Sequence, residues 1–150
     1  MSDVDLCNCA ALRQAARHVS KLYDDALAPI GLGVNQYSII GRLNRLGSAT
    51  IQELARALVM DRSTLGHLLR PLQARGLVRI DIAKEDRRGR KLVLTAAGKT
   101  LVAKARPLWA KAQARFETQM GSAEAADLRG VLKRVAAEDF HRSKTANAEG

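Results

Sequence analysis

The sequence contains few aromatic residues and no long apolar run. Its 150 residues include one Trp, two Tyr and two Phe, too few for the stacking platforms on which single-stranded nucleic acids bind. No apolar run approaches the roughly 18 residues of a membrane-spanning helix. The first residues, MSDVDLCNCA, lack the basic region and apolar core of a signal peptide. We therefore expect a cytoplasmic protein with no membrane partner.

The sequence also lacks a recognisable catalytic or cofactor-binding arrangement. Its three histidines are scattered along the chain. The segment Gly31-Leu32-Gly33 follows no predicted strand and lacks the further Gly of a phosphate-binding loop. The two cysteines, Cys7 and Cys9, have no second pair of Cys or His residues with which to complete a zinc site. We predict that the protein is not an enzyme and uses no cofactor or metal.

Positive charge is in clear excess and is concentrated in one segment. The formal net charge is +10, from 25 Lys and Arg against 15 Asp and Glu. Residues 62–91 carry nine Lys and Arg against three acidic residues, a net charge of +6 in 30 residues. A solvated basic surface is one interpretation, and a polyanionic partner is the other. Because no aromatic stacking platform is present, double-stranded DNA is favoured over RNA as that partner.

Residues 61–76 have the pattern of an amphipathic helix. Asp61 can cap its start and Gly76 can end it, whereas Pro71 predicts a bend beyond its first two turns. The leucines that form one apolar stripe at helical spacing are Leu65, Leu68, Leu69 and Leu72. The small, polar or basic residues on the opposite face are Arg62, Ser63, Thr64, Gly66, His67 and Arg70.

Two strands are predicted after this helix, with a basic turn between them. Residues 77–83 and 91–95 are rich in Val, Ile and Leu. Residues 84–90 are predicted to form a tight, basic hairpin tip. A polar helix face beside a basic hairpin is typical of a winged helix, in which the helix reads base edges in the major groove and the hairpin contacts phosphate or the minor groove.

Eight residues are predicted to contact DNA. Arg70 can pair with guanine through two hydrogen bonds, and Ser63 or Thr64 can reach base edges or phosphate. Arg62 either contacts DNA or pairs with Asp86 of the wing. For any single arginine, a solvated side chain is the alternative. The predicted set is Arg62, Ser63, Thr64, His67, Arg70, Arg87, Arg88 and Arg90.

Three helices are predicted before the DNA-reading helix, and the last of them completes a helix-turn-helix. Residues 47–50 are predicted to form a turn. Thr50 and Glu53 have the spacing of a capping box at the start of the third helix. The three predicted helices cover residues 9–28, 35–46 and 51–59.

Two more helices are predicted after the hairpin. Thr95 can cap the first, which runs to about residue 120, and the second begins at Gly121 and includes Phe140. Their apolar faces would be exposed in a lone chain, so pairing between two subunits is the economical arrangement. A monomer in which they pack on their own wing domain is the alternative.

The predicted fold is mainly α, a winged helix-turn-helix in the order α-α-α-α-β-β-α-α with N- and C-terminal dimerisation helices. A C2 dimer would place two DNA-reading helices about one DNA turn apart, on an inverted-repeat operator. The predicted segments are 1–34 for the N-terminal dimerisation helix, 35–98 for the DNA-binding domain and 99–150 for the C-terminal dimerisation helices and tail.

Four short strings within residues 61–98 form a recognisable signature. They are Asp61-Arg62-Ser63-Thr64, Leu69-x-x-Leu72-x-x-x-Gly76-Leu77-Val78, Asp86-Arg87-Arg88 and Leu94-Thr95-x-x-Gly98. This segment resembles that of MarR-type transcriptional regulators, and the order of elements extends the resemblance over nearly the whole chain. The resemblance implies an intertwined homodimer, most often a repressor, released by phenolic or other aromatic anions. It also implies that Arg88, in the Asp-x-Arg of the wing, enters the minor groove.

A site for such an aromatic effector is predicted where the first, second and fifth helices meet the DNA-binding domain. His18, Tyr37 and Trp109 are the predicted lining residues. Ordinary core packing of these side chains is the alternative interpretation.

The two cysteines suggest a second kind of signal. Cys9, Tyr23 and Gln36-Tyr37 are spaced as in the organic-hydroperoxide regulators of the MarR family, although Arg13 and Val34 occupy positions where further tyrosines are expected. This finer resemblance implies peroxide sensing through Cys9.

An intrachain disulfide between Cys7 and Cys9 is not expected, because the Cys-x-Cys ring is strained and the cytoplasm is reducing. An inert pair of cysteines therefore remains an alternative to a peroxide sensor. At the level of the whole protein, the alternative to a specific regulator is a nonspecific architectural DNA binder.

Overall fold

The computed structural model describes residues 2–82 and 89–140. In these ranges the protein is mainly α-helical with a small antiparallel sheet, as predicted. The helices are α1 (Asn8–Leu27), α2 (Val34–Leu46), α3 (Ile51–Leu58), α4 (Arg62–Ala74), α5 (Ala96–Met120) and α6 (Ser122–Val135), and the strands are β1 (Ser48–Ala49), β2 (Val78–Ile82) and β3 (Arg90–Leu94). A short 3₁₀ helix, Ala28–Ile30, follows α1. No helix in the described ranges is long and apolar enough to cross a membrane.

The predicted caps fix the starts of α3 and α4. The Thr50 hydroxyl accepts a hydrogen bond from the Glu53 amide at 3.1 Å, and the Glu53 carboxylate accepts one from the Thr50 amide at 2.7 Å. Asp61 accepts a hydrogen bond from the Thr64 amide at 2.7 Å. These bonds satisfy amides that have no partner within the helix, so the two helices of the helix-turn-helix begin where the sequence indicates.

Helix α4 continues through Pro71 and ends as predicted. It runs to Ala74, and Gly76 then adopts a left-handed conformation with φ of +67°. The Leu77 amide donates to the Leu72 carbonyl at 2.9 Å, closing the end of the helix. Leu65, Leu69 and Leu72 of its stripe are buried, and burial of a leucine side chain stabilises a fold by about 1.5–3 kcal/mol. This packing offsets the cost of a proline inside the helix.

The sheet has one more strand than the sequence predicted. Residues 47–50 were expected to form only a turn, but Ser48 and Ala49 form β1, which pairs antiparallel with β3 through Ser48–Val93 and Ala49–Leu92. Strand β3 is therefore central, between β1 and β2. A two-residue strand has no periodicity to detect, and its partner lies more than 40 residues further along the chain.

The hairpin strands are close to their predicted positions, with one correction. Arg90 was expected in the hairpin tip, but it is the first residue of β3 and pairs with Ile82 of β2. Its backbone belongs to the sheet because antiparallel pairing extends one residue beyond the apolar run. The predicted contacts of Arg87 and Arg88, and the Arg62–Asp86 pair, involve residues outside the described ranges.

The chain forms two compact units, Met1–Gln113 and Ala114–Gly150. The first contains the main apolar core, to which α2, α3, α4 and the sheet contribute. The segment boundaries predicted at 34/35 and 98/99 remain predictions.

The second unit contains the end of α5 and all of α6. Helix α6 ends at Val135, so the prediction that it includes Phe140 is wrong. The Phe140 amide donates instead to the Ala137 carbonyl at 3.0 Å, in a turn that follows the helix.

Candidate nucleic-acid interface and effector cleft

Five of the predicted DNA-contacting residues lie on the exposed surface of α4. Each of these side chains is exposed, whereas the leucine stripe behind them is buried. Their shared face follows from the helical repeat, because residues 63, 67 and 70 are separated by four and then three positions. The five are Arg62, Ser63, Thr64, His67 and Arg70. The structure places all five on the exposed surface of one helix, and their contacts with DNA remain a prediction.

Thr64 has a structural role as well as the predicted one. Its hydroxyl donates to the Asp61 carboxylate at 2.6 Å, while its amide donates to the same carboxylate at 2.7 Å. The side-chain bond from Thr64, followed by the backbone bond, holds the pKa of Asp61 below its ordinary value. The Thr64 hydroxyl is thus oriented by the cap, and its two lone pairs can still accept hydrogen bonds.

The cap predicts a pH-dependent loss of stability. Because the pKa of Asp61 is lowered in the folded state, its contribution is complete above the unfolded pKa of about 3.9 and is lost as the pH falls through the folded value. We expect Asp61→Ala to lower the melting temperature at pH 7 by a few degrees.

Asp61→Asn is the control, because an amide caps a helix without titrating. The parent should lose more stability between pH 5 and pH 2 than Asp61→Asn does in the same thermal scans. Equal losses of stability in the two proteins would contradict the assignment of the pH dependence to the Asp61 cap.

Several basic side chains in residues 62–91 are bound to other parts of the protein. Arg79 pairs with Asp81, with Nε to Oδ1 at 2.8 Å, and this partner raises the pKa of the guanidinium. Lys91 lies 3.8 Å from the Glu53 carboxylate. Arg75 donates to the carbonyl of Gly31. Residue counting alone could not separate these side chains from those available to a nucleic acid.

Arg62 and Arg90 line one groove between α4 and the base of the hairpin. The groove has a volume of about 310 Å³, and Leu69 and Leu92 contribute to its apolar floor. Two arginines that are 28 residues apart in the chain thus line the same groove. This groove lies between α4 and the two strands of the hairpin.

The turn between α3 and α4 contains a strained residue that sequence analysis missed. Val59 has φ of 52° and ψ of 50°, the left-handed region, and its side chain is 70% exposed. A β-branched residue is unfavourable there, and helix-turn-helix turns often contain Gly instead. Its amide donates to the Arg56 carbonyl at 3.1 Å, which holds the turn in place.

Val59→Gly is expected to stabilise the protein by about 1 kcal/mol, because a left-handed conformation costs an L-residue about 1–2 kcal/mol and little side-chain burial is lost. Urea unfolding at pH 7 would measure the change. Val59→Ala, which keeps a Cβ atom in the same conformation, should gain less. An unchanged or lower midpoint for Val59→Gly would contradict this interpretation.

A cleft of about 800 Å³ lies where an effector site was predicted, between α1, α2, the α3–α4 turn and α5. Tyr37 and Trp109 line it, as predicted. His18 does not, because it is exposed on α1 and the neighbouring Val19 faces the cleft instead; one residue rotates the side chain by about 100° around the helix axis. The lining residues are Val19, Ser20, Tyr23, Val34, Tyr37, Ser38, Gly41, Arg42, Arg45, Ala57, Leu58, Val59, Arg106 and Trp109.

Three arginines in the cleft were missed by sequence analysis. Arg42 and Arg45 come from α2, and Arg106 comes from α5. Burial raises the pKa of Tyr37, and the nearby Arg106 partly opposes that shift. Residues 34, 37, 38, 41, 42 and 45 form one face of α2, so the helical repeat could have identified its two arginines. The contribution of α5 could not have been found in this way.

The two cysteines lie at the start of α1, and both are exposed free thiols. The Cys7 sulfur accepts a hydrogen bond from the Ala10 amide at 3.4 Å and caps the helix. Cys9 and Tyr23 are on the same helix and about 21 Å apart along its axis, at about 1.5 Å per residue. The Tyr23 hydroxyl donates to Gln113 at 2.6 Å. Within one chain, the structure therefore does not bring the proposed sensor cysteine and this tyrosine together.

In residues 2–82 and 89–140, no group of three or more His, Cys, Asp or Glu side chains is arranged to hold a metal ion.

Comparisons with known proteins agree with this architecture. A family model described as the MarR family matches residues 30–89. The HTH-type transcriptional regulator Hpr of Shouchella clausii is 32% identical over 85 residues, which is 57% of this chain and 43% of that protein. The match thus spans less than half the length of the curated relatives.

Solved structures match over most of the chain. The M. tuberculosis transcriptional regulator MOSR, solved in complex with DNA, is 32% identical with a TM-score of 0.71, and the match covers 85% of this chain and 96% of that one. The transcriptional repressor CouR, bound to a 23-mer DNA duplex, is 26% identical with a TM-score of 0.82, and the match covers 91% and 97%. These similarities confirm the winged helix-turn-helix fold.

Proposed function

The chain belongs to the MarR family, and we propose that it is a dimeric transcriptional regulator, acting as a repressor, that binds an inverted-repeat operator in double-stranded DNA. The family is not one of enzymes. The observation that carries the proposal is α4, whose exposed polar and basic face lies over a buried leucine stripe and beside the hairpin. MOSR and CouR, which were solved with DNA, support the same partner.

Apolar side chains exposed at both ends of the chain support a homodimer. Leu6 and Leu12 are exposed near and within α1, and Val131 and Leu132 are exposed on α6. A second copy of the chain would cover such surfaces. A C2 dimer formed in this way would present its two α4 helices to successive major grooves.

Selection of binding sites from a random DNA library, followed by footprinting, would test the proposal. We expect an inverted repeat, bound by a dimer in sedimentation experiments, with affinity that falls steeply as salt increases. A monomer that binds random DNA as tightly as any selected site would overturn the proposal in favour of an architectural binder.

We further propose that the cleft binds a small aromatic anion that releases the operator. Its volume is within the range of small-molecule sites, Tyr37 and Trp109 offer aromatic surfaces, and three arginines supply positive charge. Such a ligand can weaken DNA binding only if it prefers the conformation in which the two α4 helices do not fit the operator. The α3–α4 turn lines the same cleft, so an occupant would contact the helix-turn-helix directly.

Peroxide sensing through Cys9 is the alternative signal, because this exposed thiol has the spacing described above. Operator binding of the parent, Cys7→Ser and Cys9→Ser should be measured with hydrogen peroxide and with benzoate and salicylate. Release by peroxide that is absent only in Cys9→Ser would support the thiol sensor.

An aromatic acid that releases the operator from both serine variants would support the cleft as the effector site, provided that this release is reduced in Arg106→Ala but not in Arg13→Ala. Arg13 is an exposed arginine on α1 that does not line it. Release by neither signal would overturn both effector proposals and leave operator binding intact.

A further inference from the structure

The end of α4 is joined to the connection between α1 and α2 by one side chain. Arg75 is the C-terminal cap of α4, and its guanidinium reaches residues more than 40 positions earlier. Its Nη1 donates to the Gly31 carbonyl at 2.7 Å, and its Nη2 donates to the Ile30 carbonyl at 3.4 Å. One planar cation thus binds two successive carbonyl groups, an arrangement that the fork of donors on arginine favours.

The connection that Arg75 binds is itself fixed to α1. The Leu32 amide donates to the carbonyl of Leu27, the last residue of α1, at 3.4 Å, and within the connection the Gly31 amide donates to the Ala28 carbonyl at 2.9 Å. Gly31 has φ of +68°, and a Cβ atom added there would lie 3.6 Å from the guanidinium, in van der Waals contact. The backbone therefore passes close to the Arg75 guanidinium.

Asp24 of α1 holds the other end of the connection. Its carboxylate accepts a hydrogen bond from the Val34 amide at 2.7 Å, at the start of α2. Hydrogen bonds thus tie the connection to α1 on one side and to α4 on the other. Arg75 is the link in this arrangement that reaches α4.

We propose that Arg75 is a positioning residue that fixes the direction of α4 relative to α1, and so determines which spacing between operator half-sites the dimer accepts. The inference rests on the proposed function, in which α1 belongs to the dimer interface. Helix α4 is about 20 Å long at about 1.5 Å per residue, so a small rotation about its fixed end displaces its DNA-facing end. Its buried leucines hold the helix on the core, and the guanidinium restricts the rotation that remains.

Arg75 does not belong with the residues that read bases. It caps the C-terminal end of α4, whereas the predicted base contacts end at Arg70, more than one turn earlier, and two of its donor groups are bound to carbonyls. Loss of Arg75 should therefore change spacing preference rather than the affinity for a single half-site or the dependence of affinity on salt.

The test compares operators that differ only in the number of base pairs between their half-sites. The parent should prefer the selected spacing over spacings one and two base pairs longer or shorter. In Arg75→Ala that preference should fall by at least about fivefold, the lower end of typical coupling between sites. Affinity for a single half-site should change less than about twofold. Arg75→Lys, which keeps the charge and can reach one carbonyl, should restore part of the preference.

Arg79→Ala is the matched control, because it removes a positive charge nearby on β2 that is paired with Asp81. Its spacing preference should match that of the parent. Thermal unfolding would show whether each variant is folded at the assay temperature. If Arg75→Ala is unfolded there, the spacing preference of Arg75→Lys alone decides the test.

Three results separate the possible failures. An unchanged spacing preference in a folded Arg75 variant would overturn this inference. A uniform loss of affinity for every site, with a smaller salt slope, would also overturn it and identify Arg75 as a phosphate contact instead. Failure of the parent to select any inverted repeat would overturn the proposed function itself.

Discussion

Replacing Gly98 with alanine should destabilise the compact unit Met1–Gln113 by about 3 kcal/mol or more, at the upper end of the cost of overpacking. Gly98 lies in the first turn of α5 and is buried. An added Cβ atom would lie far inside the contact distance of the Leu77 carbonyl oxygen, 3.1 Å from its carbonyl carbon and 3.2 Å from Cδ2 of Leu94. The Leu77 oxygen also accepts a hydrogen bond from the Thr95 amide at 3.1 Å, so neither backbone can move away without breaking that bond.

Gly41→Ala is the control for this substitution. Gly41 is inside α2 of the same compact unit, and an added Cβ atom there would meet no other atom within 4 Å. Alanine should therefore stabilise the helix by about 1 kcal/mol. Urea unfolding followed by circular dichroism would measure both variants. Equal stability of Gly98→Ala and the parent would show that α5 does not approach the Leu77 backbone as closely as described.

Arg70→Ala should weaken operator binding by about 1–3 kcal/mol, or about five- to 150-fold, and the loss should concern mainly one base position. The exposed Arg70 side chain is on the same face of α4 as Ser63 and His67. Loss of a bidentate contact to guanine removes discrimination at that base pair. The variant and the parent should therefore bind operators altered at that position with similar affinity. Binding to the selected operator should fall most.

Arg88→Ala should behave differently, because the predicted contact of Arg88 with the minor groove is less dependent on base sequence. Its affinity should fall for most operators, with a salt slope smaller by about one. Titrations of both variants against single-base operator variants at several salt concentrations would separate the two effects. Arg13→Ala, which removes an exposed arginine from α1, controls for the change in net charge. If both variants bind the operator as the parent does at moderate salt, the assignment of the DNA contacts to α4 and the hairpin is wrong.

Helix α4 is the part of the protein that could be predicted most completely. Leucine spacing placed Leu65, Leu69 and Leu72 in the core, and the caps at Thr50 and Asp61 placed the helix starts. These features are local, because the helical repeat and a cap depend on residues within one or two turns of each other. The winged helix-turn-helix and the exposed polar face of α4 therefore followed from residues 50–98 without knowledge of distant contacts.

Features that depend on contacts between distant segments could not be predicted in this way. Strand β1 exists because β3 pairs with it, the cleft gains Arg106 because α5 passes beside α2, and Arg75 meets Gly31 across more than 40 residues. The left-handed conformation of Val59 likewise depends on where α3 and α4 are held by the core. In each case the feature is stabilised by packing or hydrogen bonding between segments that are distant in the sequence. Such contacts leave no periodic pattern from which they could be predicted.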